Sequence, residues 1–192
     1  MSSWVSPPFP FLKELDVAGW TFSRIPRWIG GLDNLHTLRF GVKEVSNFTW
    51  DDIGTIGMLP NLIILYLRVE GDVPAEGIVI SGSTGFKHLQ EFYLQIKSTS
   101  HLAFEEGAMP NLRDLALSVI PKECYRATAP VGLEHLASLQ RIFVYGGIGR
   151  KQTLPQNINN ASFEAFCAMF REAITGLPTQ LTFHSSYALV HR

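Results

Sequence analysis

A chain of 192 residues is long enough for one domain with a substantial core. Hydrophobic residues make up 46% and charged residues 17%, the balance of a globular chain and not of a disordered one. The net charge is -1 and the basic residues are scattered, which argues against a polyanion partner.

The opening segment, MSSWVSPPFPF, is too short and too broken by proline for a signal peptide or a membrane span. The cysteines, Cys124 and Cys167, form no CxxC pair and no disulfide framework, as expected of a reducing compartment. A cytoplasmic location follows as the expectation. The sequons at Asn47-Phe48-Thr49 and Asn160-Ala161-Ser162 read as chance matches in the absence of an export signal.

From Leu12 onward one pattern recurs: an apolar residue, two variable ones, an apolar, a variable, an apolar. It reads LKELDV from Leu12, LHTLRF from Leu35, LIILYL from Leu62, LQEFYL from Leu89, LRDLAL from Leu112 and LQRIFV from Leu139. The starts are 23, 27, 27, 23 and 27 residues apart. A period in the twenties with this core is the signature of leucine-rich repeats. One such strand cannot bury its apolar side alone; stacked copies make a parallel sheet with a continuous core behind it.

The segments between the strands carry a second apolar landmark. Leu32, Leu59, Phe86, Met109 and Leu136 each stand three residues before a repeat's first leucine and should plug the coil. Asp51 to Leu59 reads as a short convex helix, with Asp51 or Asp52 favouring its N-terminus. GIVISGSTG from Gly77 reads as an extended segment closed by a glycine-rich turn. The asparagine or cysteine common eight positions after the first leucine is missing: Trp20, Lys43, Glu70, Lys97, Ile120 and Gly147 stand there. That ladder is therefore expected to be absent and the convex side irregular.

At the two ends the pattern changes. SFEAFCAMFREAITGLP reads as an amphipathic helix with Ser162 as N-cap, and Phe163, Phe166, Cys167, Phe170 and Ile174 on one face. Gly176 and Pro178 would stop it, and TQLTF offers a last strand. The helix is read as the cap of the solenoid, with a partner-binding helix as the rival reading. The N-terminus carries no such cap: Trp4, Val5, Phe9 and Phe11 look like core material, and the bare first repeat is expected to belong to a longer architecture and to fray or self-associate.

The expected fold is thus an α/β leucine-rich-repeat solenoid, a horseshoe arc with a parallel concave sheet, an irregular convex side and a C-terminal capping helix. Residues 1–160 hold the repeats, with strands near 12–17, 35–40, 62–67, 89–94, 112–117 and 139–144. Residues 161–192 form the cap, with a helix over 162–175 and a strand over 179–183.

Chemistry-bearing motifs are scarce. VYGGIGRKQT, from Val144 to Thr153, resembles a phosphate loop only superficially. Gly149 is followed by Arg150, Lys151 by Gln152, and Val144 stands where the first glycine of GxxxxGK[ST] belongs. His36, His88, His101, His135, His184 and His191 show no metal-ligand spacing, and there is no HExxH or GxSxG. The adjacent pairs Asp51-Asp52 and Glu105-Glu106 do not face one another on a helix. No catalysis, metal or cofactor is expected.

What remains is surface. The variable positions flanking the second and third apolar residues face out of the concave sheet in three columns. They hold Glu14, Thr37, Ile64, Glu91, Asp114 and Arg141; then Asp16, Arg39, Tyr66, Tyr93, Ala116 and Phe143; then Ala18, Gly41, Arg68, Gln95, Ser118 and Tyr145. Tyr66, Tyr93, Phe143 and Tyr145 make an aromatic track; Arg39, Arg68 and Arg141 lie beside Glu91 and Asp114. Tyrosine and arginine are enriched at binding hot spots, which makes these residues the candidate protein-binding face.

IPRWIGGLDNLHTLRF, LAFEEGAMPNLRDLAL and GLEHLASLQRIFV carry a resemblance over nearly the whole chain. The chain resembles the C-terminal leucine-rich-repeat region of intracellular nucleotide-binding immune receptors of plants, the coiled-coil type abundant in grasses. The final helix is more aromatic than that family's usual alanine- and glutamate-rich form. The resemblance implies a module that helps hold a nucleotide-binding unit inactive and contributes to sensing a pathogen effector or guarded host protein. The implied partners are proteins, among them that nucleotide-binding unit, with neither nucleic acid nor membrane. The sequence itself has no P-loop and no coiled-coil N-terminus, so no nucleotide binding is expected. The other reading is a stand-alone intracellular leucine-rich-repeat scaffold or adaptor.

Overall fold

The computed structural model describes residues 9–23, 25–43, 50–71, 77–96, 102–119, 128–146, 160–177 and 181–186. Seven parallel strands form one sheet in the order β1 (Glu14–Phe22), β2 (Thr37–Val42), β3 (Ile64–Val69), β5 (Glu91–Ile96), β7 (Asp114–Val119), β8 (Arg141–Gly146) and β9 (Thr182–Ser186). Each strand joins its neighbour in chain order within the sheet, as a stacked coil of repeats requires. Two short strands, β4 (Ile78–Ile80) and β6 (Leu102–Phe104), pair in parallel on the convex side.

The repeat strands begin two residues later than the sequence pattern suggests. The first leucine of each copy closes a turn instead of joining the ladder. Its N–H donates to the carbonyl of the plugging residue three positions back: Leu35 to Leu32 at 2.9 Å, Leu112 to Met109 and Leu139 to Leu136 at 3.0 Å. The next residues then enter the sheet on a shared acceptor. The His36 carbonyl takes the N–H groups of both Ile63 and Ile64, and Ile63, Gln90 and Arg113 repeat the arrangement with the strand that follows.

Alternation does the rest. Leu38, Phe40, Leu65, Leu67, Phe92, Leu94, Leu115, Leu117, Ile142 and Val144 point inward and are buried, and the plugs Leu32, Leu59, Phe86, Met109 and Leu136 pack behind them. Two plugs sit in left-handed backbone, Phe86 at φ 58° and Met109 at φ 41°. An L side chain tolerates that only where packing over-determines it, and both are buried.

The asparagine ladder of the usual position is missing, yet a different one ties the turns together. Asn34, Asn61 and Asn111 stand directly before the first leucine of their repeats. Their Nδ2 groups donate to the carbonyls of Pro10, Asp33 and Lys87 at 2.7, 2.7 and 2.6 Å. Ser138 does the same to Pro110 at 2.7 Å. Of the eight-position residues, Lys97, Ile120 and Gly147 lie outside the described residues.

On the convex side α1 (Trp50–Gly57) provides the expected helix, with Ile53 and Ile56 buried; the side chains of Asp51 and Asp52 lie outside the described residues. The extended segment from Gly77 becomes β4, closed by a short 3-10 turn at Gly82–Thr84. Strand β6 and its bridge from Ala103 to Val131 had no counterpart in the sequence reading. Gly132 is indispensable there: at φ 79° its hypothetical Cβ falls 1.8 Å from the Phe104 carbonyl oxygen.

The C-terminal helix α2 (Asn160–Ala173) starts two residues before the expected point, so Ser162 lies inside it and is not its N-cap. Phe163, Phe166, Cys167 and Phe170 are buried as expected, and Ile174 is partly buried. Phe170 lies 6.2 Å from Phe183 of β9. The last strand covers 182–186 instead of 179–183 and pairs with β8, so the cap ends as a seventh rung of the sheet.

At the other edge, Phe9 and Phe11 are not core material: they are 54% and 86% exposed. Leu12, Leu15 and Val17 are only partly buried, whereas their counterparts Leu35, Leu38 and Phe40 are fully so. The reason is position: among the described residues β1 has a neighbour on one side only. Trp4 and Val5 lie outside the described residues.

Candidate protein-recognition face

The register of the sheet fixes which outward residues share a column. The first column runs Glu14, Thr37, Ile64, Glu91, Asp114, Arg141, Thr182. The second runs Asp16, Arg39, Tyr66, Tyr93, Ala116, Phe143, His184. The third runs Gly41, Arg68, Gln95, Ser118, Tyr145, Ser186, and it does not begin at Ala18 as the repeat spacing predicts. Thr21, not Ala18, pairs with Gly41, because the register shifts between Asp16 and Thr21. The Asp16 carboxylate accepts the N–H of Ala18 at 3.1 Å, a local turn that pulls the chain out of the ladder.

The aromatic residues of the second and third columns form a band across the strands. Tyr66 and Tyr93 stack with centroids 4.6 Å apart and planes 18° from parallel. Tyr145 reaches back over β7 to lie 5.8 Å from Tyr93. Phe143 stands 6.3 Å from Tyr145 and 5.1 Å from His184. The small residue Ala116 lets this happen; it sits between Tyr93 and Phe143 in its column and is only 1% exposed. At the N-terminal end the Arg39 guanidinium lies 4.5 Å from the Tyr66 centroid.

The arginines are bound to acids on the same face. Arg39 is 3.6 Å from Asp16, Arg68 is 3.1 Å from Glu70, and Arg141 forms a two-pronged contact with Asp114. That contact holds the Arg141 proton more firmly than usual, through the hydrogen bonds to Asp114 and then its charge. The Nε atoms of Arg39 and Arg68 are covered and have no hydrogen-bond partner. Thus Arg39, Tyr66, Arg68, Glu91, Tyr93, Asp114, Arg141, Phe143 and Tyr145 all lie on one face. His184 completes the band; it was missed because β9 lacks the repeat's leucines.

Among the described residues no group of His, Cys, Asp and Glu is arranged to hold a metal ion. No helix among them is long and apolar enough to cross a membrane. Of the glycine stretch, residues 147–153 lie outside the described residues, and Val144 to Gly146 end strand β8.

The chain belongs to the leucine-rich-repeat region family, which matches residues 1–182. It is similar to disease resistance protein RGA5 of Oryza sativa subsp. japonica, with 34% identity over 152 residues, 77% of this chain and 13% of that protein. The resemblance to the leucine-rich-repeat region of plant nucleotide-binding disease resistance proteins is borne out by these matches. The chain therefore spans a small part of the length of the curated relative it matches. No solved structure gives a significant match.

Proposed function

We propose that this chain is the protein-recognition module of an intracellular plant immune receptor, acting by binding and not by catalysis. The observation that carries the reading is the continuous aromatic band from Tyr66 to His184, laid across the concave sheet and flanked by fixed ion pairs. Aromatic anchors held by their neighbours lose little entropy when a partner binds. The Tyr66 ring is occupied by Tyr93 and Arg39, and the arginines are paired with acids. That leaves little for stacked bases or phosphates and favours a protein.

The partner is a pathogen effector, a guarded host protein, or the nucleotide-binding unit of a parent receptor, which this region would help hold inactive. The setting is the cytoplasm, with no cofactor. Similarity to a protein named for disease resistance supports the defence role.

The test is a two-hybrid screen with the full chain, repeated with Tyr66 and Tyr93 both replaced by alanine. Loss of the interactors is expected, at about 2 kcal/mol or more per anchor. Interactors that all survive the double replacement would remove the face from consideration. Calorimetric titration with ATP and ADP should show no binding.

A further inference from the structure

The tie between turns follows a fixed rule. The residue before a repeat's first leucine donates to the carbonyl two residues before the first leucine of the preceding repeat. Asn34 reaches Pro10 in this way, Asn61 Asp33, Asn111 Lys87, and Ser138 Pro110. The rung between the third and fourth repeats breaks the rule. His88 stands there in the donor position and Pro60 in the acceptor position. Among the described residues the His88 side chain makes no hydrogen bond, and no donor reaches the Pro60 carbonyl.

A recess of about 350 Å³ opens at this rung, where β2, β3 and β5 begin. Pro60 and His88 line it together with Asn61 and Asn111, the donors of the rungs before and after. All four are exposed, so the recess is open to a partner at the rim of the concave face. Its polar lining is imidazole and carboxamide, without carboxylate, ammonium or guanidinium. Just outside it the charges oppose one another: Glu91 follows Gln90, and Arg113 donates its N–H to the Gln90 carbonyl at 2.8 Å. Neither sign of ion is selected. The hydrogen-bonding groups are mixed as well. Asn61 and Asn111 each use one N–H on their own rung, which leaves each a second N–H and its Oδ1. The Pro60 carbonyl can only accept. Such a lining suits a neutral group that both donates and accepts. The asparagine rungs show which group seats on the equivalent carbonyl: a primary carboxamide, at 2.6 to 2.7 Å.

We propose that the broken rung at His88 is a subsite for an asparagine or glutamine side chain of the protein partner. The partner's NH2 donates to the Pro60 carbonyl, as Asn61 and Asn111 donate to theirs, and its oxygen accepts from the amides of the lining. The partner thus completes the tie that the chain leaves open. This deepens the recognition reading above and rests on it.

The test uses the full chain and three small probes of one shape. Propionamide, propionate and propylammonium are titrated into isotope-labelled protein while the side-chain amides of Asn61, Gln90 and Asn111 and the His88 ring are followed. Saturable shifts are expected with propionamide, with half-saturation on the order of 10 mM for so small a ligand, and at least about threefold weaker responses to the two ions. His88→Asn supplies the carboxamide from the chain itself; it should abolish the propionamide response and raise the melting temperature. His88→Ala leaves the rung open and should keep the response. The absence of a saturable propionamide shift, an equal response to either ion, or an unchanged response in the His88→Asn chain overturns the proposal. The probes need no biological partner, so such a failure leaves the aromatic band as recognition face intact. Conversely, interactors that survive loss of Tyr66 and Tyr93 overturn the band while the propionamide titration still stands as measured.

Discussion

Arg68 lies across Gly41. Its Nη2 reaches the Thr21 hydroxyl at 3.2 Å on the far side of β2 and Glu70 at 3.1 Å on its own strand. A methyl group built on Gly41 would stand 3.2 Å from Arg68 Nε and 3.1 Å from the Trp20 carbonyl oxygen. Alanine in a strand is otherwise better than glycine. Here Gly41→Ala is expected to lower stability by about 1 kcal/mol and to lift the guanidinium off the sheet. Urea denaturation measures the first and a structure of the variant the second. A gain in stability would mean that Arg68 contributes nothing by lying there.

The core between α1 and the sheet contains a small apolar void of about 20 Å³, bordered by Ile53, Val69, Ile78, Phe92 and Met109 among others. Val69→Ile adds one methylene where there is space for it. It should raise stability by about 0.5–1 kcal/mol, whereas Phe92→Ala should lower it by about 3–5 kcal/mol. Chemical denaturation of both variants checks the pair; destabilisation by isoleucine would show that the void cannot accept it.

Asn111 holds the Lys87 carbonyl at 2.6 Å, a rung of the tie between successive turns. Asn111→Ala should cost about 1 kcal/mol, close to the worth of one exposed hydrogen bond. Asn111→Ser, by analogy with Ser138, should recover part of it. If alanine and serine behave alike in thermal melts, the side-chain tie carries no weight.

Burial pushes the Cys167 thiol above its ordinary range, opposed by a hydrogen bond with Ser185. The folded chain therefore holds that proton more tightly than the unfolded chain. The stabilising difference is complete below the unfolded thiol value, about 8.5, and is lost as pH rises through the higher folded value. In a Cys124→Ser background, Cys167 should resist iodoacetamide at pH 8 until the protein unfolds. Stability should decline above about pH 8.5 more steeply than in the Cys167→Ala variant. Rapid labelling of the native protein contradicts this.

Strand β1 should be the first part of the sheet to exchange its amides. Its inward residues Leu15 and Val17 are partly buried, its register is interrupted, and Trp20 is 74% exposed. Hydrogen exchange over Glu14–Phe22 is expected to run faster than over Asp114–Val119. Equal protection of the two strands would count against it.

How much of this was legible beforehand follows from where the information resides. The recurring leucines gave the strand order and the outward columns, because period and alternation are written directly in residue type. They misplaced each strand's start, since a leucine in a turn and one in a strand both need burial. Asn34, Asn61 and Asn111 were overlooked as ties because the usual ladder stands after the strand and theirs stands before it. Strand β9 was shifted and His184 missed for want of leucines to mark the rung. The columns placed Arg39, Arg68 and Arg141 beside acids but could not say which acid each would take. That is decided by rotamers, and by small residues such as Gly41 that open the way.

The repeats differ in length by four residues, 23 against 27, yet from β2 to β9 the paired columns run without a break. The difference is absorbed between one strand's end and the next strand's first leucine, upstream of the shared carbonyl that resets the chain. Insertions and deletions behind the sheet are thereby decoupled from the geometry in front. Such a molecule can diversify its back in length and its front in side chains independently, so a lineage can revise what it recognises without renegotiating how it folds.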